Sequence, residues 1–209
     1  MTGLRERKKQ RTHDTISAAA ISLFLERGYD AVSVADVAEA AEVSKPTLFK
    51  YFATKEDLVL HRIADHQGEA ARVVRARRPD ESPLAALRRH FLDGLDRRDP
   101  VTGLNDDARV LAYHRLVFST PSLAARVASY TEAEETALAE ALGGGLTALV
   151  AAGQIVAVQR ILARDNWRRL IAGRSAAEIH REAAEAAGDA FDLLERGLGH
   201  HYPGDLAEG

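Results

Sequence analysis

Apolar residues recur along this chain at spacings of three and four rather than two, a period that predicts helices from one end to the other. Ile16, Ala19, Ala20, Leu23 and Phe24 fall on one face of a helix expected over residues 5–27, which Gly28 ends. Ser33-Val34-Ala35-Asp36 has capping-box spacing, with Asp where Glu or Gln is usual, and Val34, Val37, Ala38 and Ala41 form a short apolar stripe behind it. Ser44 as N-cap and Pro46 in the first turn predict another short helix running to Phe52. Thr54-Lys55-Glu56-Asp57 repeats the capping signal and opens a long helix toward Arg75. Further helices are expected at 82–96, 106–119, 122–142, 146–172 and 175–199, with Pro121, Gly143-Gly144-Gly145 and Gly173 at the joints and a short disordered tail after Tyr202. β-branched residues are scarce against Ala, Leu, Arg and Glu, so the chain reads as all-α, with about nine helices.

Composition narrows the function. With 209 residues, 46% hydrophobic and 28% charged, the chain can bury a core of ordinary size. The absence of cysteine excludes a disulfide framework, a thiol nucleophile and thiolate zinc sites. No uninterrupted apolar run approaches the ~20 residues that span a bilayer, which leads us to expect a cytoplasmic protein without a membrane partner. The net charge of -3 is unevenly spread. Arg5, Arg7, Lys8, Lys9 and Arg11 stand against Glu6 alone in residues 1–11, and Lys45, Lys50 and Lys55 stand against no acid in residues 44–55. Two basic edges thus bracket one small helical unit, a pattern suited to DNA phosphates although each edge alone is also what a solvated face looks like.

Two short helices joined by a tight turn form a helix-turn-helix, whose second helix enters the major groove. Leu48 and Phe52, four residues apart, face inward, which leaves Lys45, Thr47, Phe49, Lys50 and Tyr51 to meet DNA. Lysine neutralises phosphate or donates to guanine, and threonine offers a hydroxyl or meets a thymine methyl. The run from Val34 to Leu58, with Thr47-Leu48-Phe49-Lys50-Tyr51-Phe52 followed by Lys55-Glu56-Asp57-Leu58, resembles the signature of the tetracycline-repressor (TetR) family of bacterial regulators. The resemblance covers about residues 10–60 and implies that Lys45, Thr47 and Lys50 face bases or nearby phosphates. It implies too that Tyr51 and Lys55 hold the DNA backbone and that Ser33 lies near a phosphate. Glu42 departs from a frequent Gly; a left-handed conformation there costs ~1 kcal/mol more than with glycine. Phe49 departs from a frequent Tyr and offers an apolar contact instead of a phenol. Lys8 and Lys9 are expected on a flexible strand that neutralises phosphate.

The same resemblance implies a DNA-binding domain at 1–53 and, at 54–209, antiparallel helices that bind an effector and pair two subunits. Its expected partners are double-stranded operator DNA, an unknown small-molecule effector and a second copy of the chain, with no cofactor and no metal. His90, Phe91, Tyr113, His114, Phe118 and Gln154, set within apolar helices, are effector candidates. Apolar stripes on the last two helices make Ile161, Trp167, Ala187, Phe191, Leu194 and Leu198 candidates for the dimer interface; an internal core would give the same stripes. No convergent acid, base and nucleophile suggest an enzyme. His61 and His66 are off same-face spacing and His200-His201 sit in the expected tail, so metal binding has little support. A DNA-binding activator or architectural protein without an effector would share the motif.

Overall fold

The computed structural model describes residues 2–197 as ten α-helices and one 3-10 turn. They are α1 (Thr2–Arg27), α2 (Val34–Ala40), α3 (Lys45–Phe49), α4 (Lys55–Ala64), α5 (Glu69–Arg75), α6 (Pro83–Asp96), the turn Pro100–Thr102, α7 (Ala108–Ser119), α8 (Pro121–Ala141), α9 (Gly145–Ile171) and α10 (Ala176–Arg196). No strand occurs among the described residues. The expected tail, with His200, His201 and Tyr202, lies outside them, as does Leu198.

Local chemistry sets most boundaries. Ser33 Oγ accepts from Asp36 N at 3.2 Å while the Asp36 carboxylate accepts from Ser33 N at 2.7 Å, so the capping box of α2 is complete. Thr54 with Asp57 and Ser175 with Glu178 do the same for α4 and α10. One expected helix divides. The segment anticipated over 54–75 stops at Ala64 and restarts after Gly68, which adopts a left-handed φ of 70°. The Glu134 carboxylate on α8 accepts from the backbone N–H of Gly68 and, at 3.1 Å, from that of Ala70, replacing the helical partners these groups lack. A second departure concerns the N-terminus. The basic arm expected as a flexible strand forms the first turns of α1, in keeping with the helix preference of its Arg, Lys, Glu and Gln residues.

The chain forms two packing units. The first comprises residues 1–67 and 112–130, with Ile16, Phe24, Val37, Leu48, Leu58, Leu60, Val117 and Leu123 in its core. Tyr113 on α7 donates its hydroxyl to Val59 O of α4 at 2.8 Å. The second comprises, among the described residues, 68–111 and 131–197, and its core gathers Leu87, Phe91, Leu95, Leu104, Leu138, Ile179 and Phe191. There the turn after α6 packs so closely on α9 that a Cβ on Gly103 would lie 1.9 Å from Ala163 O, and buried Asn166 donates to Thr102 O at 2.9 Å.

Within that second unit α9 is unusual. An 18-residue window of it has mean hydropathy 1.6, yet only 17% of the window is buried. By length and composition the helix could cross a bilayer, a property that counting uninterrupted apolar runs overlooked. Leu146, Leu149, Val150, Ile161 and Ile171 all stand exposed on it.

Candidate nucleic-acid interface

The turn between α2 and α3 closes as a Schellman motif. Val43 N donates to Ala38 O at 2.9 Å and Glu42 N to Glu39 O at 3.0 Å, with Glu42 itself left-handed at φ 53°. The strain expected at Glu42 is therefore present. Ser44 Oγ then accepts from Thr47 N at 3.2 Å and lies 2.8 Å from Thr47 Oγ1, which fixes the first turn of α3. Leu48, fully buried, and Phe52, 2% exposed, anchor the segment from behind. Burial of such a side chain stabilises by about 1.5–3 kcal/mol.

What this anchoring leaves outside is the candidate interface. Lys45, Phe49 and Lys50 are exposed, Phe49 to 51%. Thr47 and Tyr51 are half-buried, and the Thr47 hydroxyl is shared with Ser44. Ser33 is exposed at the start of α2, and Lys8 and Lys9 are exposed on α1. Lys55 has an internal bond. Its Nζ donates to Tyr29 O at 2.6 Å and lies 4.2 Å from the centre of the Tyr29 ring, so it clamps the α1–α2 connection as well as standing near the motif.

Two residues that the sequence reading missed join this surface. Gln10 and His13 of α1, together with Lys9, Lys50 and Tyr51, line a cleft of about 320 Å³. Lys9 and His13 stand four apart, on one face of α1. That spacing was readable; its alignment with Lys50 was not, because it depends on how α1 packs against α3. Beneath the cleft the His13 ring stacks on Phe52 with centroids 4.5 Å apart and meets His61 edge-on at 5.1 Å. His61 Nε2 lies 2.9 Å from Ser17 Oγ. Burial, with a smaller push from His13, holds the His61 pKa below the ordinary imidazole value.

The effector candidates divide between the two units, and in the first the His114 ring lies 6.2 Å from Tyr113 and 5.9 Å from Phe118. His90, Phe91 and Gln154 belong to the second unit, Tyr113, His114 and Phe118 to the first. Phe91 is 5% exposed and packs against Phe191, His90 Nε2 lies 3.1 Å from Glu69 Oε1, and Gln154 faces outward. The dimer candidates divide in the same way. Ala187 and Phe191 are buried in the unit's own core and Leu194 packs against it, because the stripe on α10 is the face that meets α6 and α9. Trp167 is half-buried, whereas Ile161 is 56% exposed. Among the described residues no three His, Asp or Glu side chains group as metal ligands.

With this geometry in place, residues 16–61 match the model of the bacterial regulatory proteins, tetR family. Those residues form a tetR-family segment. The chain is 38% identical over 138 residues to the HTH-type transcriptional regulator TcmR of Streptomyces glaucescens, a match covering 66% of this chain and 61% of that protein's length. NalD of Pseudomonas aeruginosa, the secondary repressor of the MexAB-OprM multidrug efflux pump, has a similar structure: TM-score 0.59, 18% identity, with 87% of this chain and 96% of that one covered. FadR of Bacillus subtilis, solved in complex with stearoyl-CoA, aligns with TM-score 0.50 and 17% identity over 86% of this chain and 96% of that one. These likenesses support the all-α fold with its N-terminal helix-turn-helix, and the relatives named are regulators rather than enzymes.

Proposed function

We propose that this chain is a TetR-type, sequence-specific DNA-binding transcriptional regulator, a repressor that binds a palindromic operator as a homodimer and leaves it when a small-molecule effector binds. One observation carries the DNA-binding part. Leu48 and Phe52 hold α3 from behind while Lys45, Phe49 and Lys50 project outward beside the basic face of α1. In this reading residues 1–53 read DNA, with Lys45, Thr47 and Lys50 at bases or adjacent phosphates. Ser33, Phe49, Tyr51, Lys55, Lys8 and Lys9 supply backbone and sugar contacts, and 54–209 serve pairing and effector binding. The effector part rests on the ligand seen in a protein of similar fold, not on the six candidate side chains, which are spread over two units. The homodimer is supported by the exposed apolar face of α9, to which Ile161, an expected interface residue, belongs.

A gel shift with the chain's own upstream intergenic DNA tests the reading. At ~150 mM salt, where nonspecific binding is weak, we expect preference for that DNA over a random duplex. Thr47→Ala combined with Lys50→Ala should abolish the preference. Lys8→Ala with Lys9→Ala should weaken binding to all sequences and lower the salt slope by about one for each phosphate left without its lysine. Equal affinity of the wild type for both duplexes would sink the regulator reading.

A further inference from the structure

We propose that His13 takes up a proton when a DNA backbone phosphodiester enters the cleft between Lys9, Gln10, Lys50 and Tyr51, so that DNA binding by this protein weakens as pH rises through the imidazole range. The inference rests on the DNA-binding reading and deepens it. His13 is a quarter exposed, and its Nδ1 lies 3.3 Å from Asp14 Oδ1. The Asp14 carboxylate beside Nδ1 favours a hydrogen on that nitrogen, which leaves Nε2 for a ligand in the cleft. A neutral imidazole carries one N–H. If Nδ1 donates to Asp14, Nε2 presents a lone pair, which phosphate oxygens repel; if Nε2 carries the hydrogen, the Nδ1 lone pair faces the Asp14 carboxylate. Only the imidazolium serves both anions at once.

The surroundings fit this assignment. From α1 the facing groups are Lys9, Gln10 and Asp14, with the Gln10 amide already donating to Asp14 at 2.9 Å. Lys50 and Tyr51 face His13 from the end of α3, and Phe52 lies under the ring. From α4 comes His61, with Arg62 and Asp65 acting on it. Burial lowers the pKa of His61, which also lies 2.9 Å from Ser17 Oγ, so protonation there is disfavoured relative to an unburied imidazole. A phosphodiester in the cleft adds negative charge beside the His13 ring, which favours the imidazolium. The sign follows: a group that binds its proton more tightly in the complex contributes affinity at lower pH and loses it as pH rises.

The probe is a duplex selected by the full chain from a random library; failure to select any duplex would count against the DNA-binding reading itself. With a selected duplex in hand, fluorescence anisotropy at constant ionic strength should show affinity about fivefold weaker per engaged subunit at about pH 8 than at about pH 6.5, the size of one modest ion pair. Calorimetry in buffers of different ionisation heat should register proton uptake. His13→Gln should lose both the pH dependence and the proton uptake. A flat wild-type profile, or a His13→Gln profile as steep as the wild type's, overturns the proposal. Should His13→Gln fail to fold, the wild-type histidine ring resonances decide, because the duplex should move His13 toward its protonated position at about pH 7.5. An unmoved resonance refutes proton uptake, and the same movement with millimolar inorganic phosphate alone would mark a free-anion site instead.

Discussion

Glu42 occupies a position where most side chains are unfavourable. At φ 53° its Cβ crowds the following carbonyl, at a cost on the order of 1 kcal/mol relative to glycine. The Schellman bonds of Ala38 and Glu39 hold it there. We expect Glu42→Gly to raise unfolding stability by about 1 kcal/mol in urea denaturation. Glu42→Gln, which keeps the Cβ but removes the charge, should leave stability nearly unchanged. The two variants separate backbone strain from charge. If Glu42→Gly is neutral or destabilising, the left-handed cost has been offset by the extra freedom glycine gains in the unfolded chain.

At the scale of elements, α1, the link from α3 to α4, and α4 meet at His13, Phe52 and His61, and this junction sets a pH limit on the N-terminal unit. Burial lowers the pKa of His61, and of His114 in the same unit. Unfolded, each titrates near ~6.5; folded, each resists protonation. Stability from both is therefore present above that value and lost as pH falls through their folded pKa values. The urea midpoint should drop between about pH 7.5 and pH 5.5, and His61→Gln should flatten part of that drop; a wild-type midpoint insensitive to pH over this window would refute it. These elements also show what the sequence could reveal. The caps of α2, α3 and α4 were legible because a cap and its partner lie three residues apart. The break between α4 and α5 was not, because the carboxylate that stabilises it comes from Glu134, 66 residues after Gly68. Likewise Leu48 and Phe52 announced the outward face of α3 by their own spacing. The cleft that adds Gln10 and His13 needed α1 to be placed against it.

For the whole molecule the question is what covers α9. Its exposed residues lie along one side: Leu146, Leu149 and Val150, then Ile161, then Ile171. Arg160, Arg164 and Arg168 are exposed between and beyond them, a cationic half that argues for a protein partner over lipid. The stripe on α10 was just as visible in sequence, yet it faces inward, because periodicity identifies an apolar face without naming its neighbour. Leu149→Glu with Ile161→Glu should therefore convert a dimer to a monomer at micromolar concentration in light scattering, with unchanged helical circular dichroism. Operator affinity should fall with it, since a lone motif engages one half-site where a twofold pair engages two about 34–36 Å apart. Phe191→Ala, by contrast, removes a side chain 1% exposed and should cost about 3–5 kcal/mol of stability without a specific effect on pairing. A wild type that is monomeric at the same concentration would refute the homodimer. A glutamate variant that stays dimeric would move the interface away from α9 and leave its apolar face to another partner.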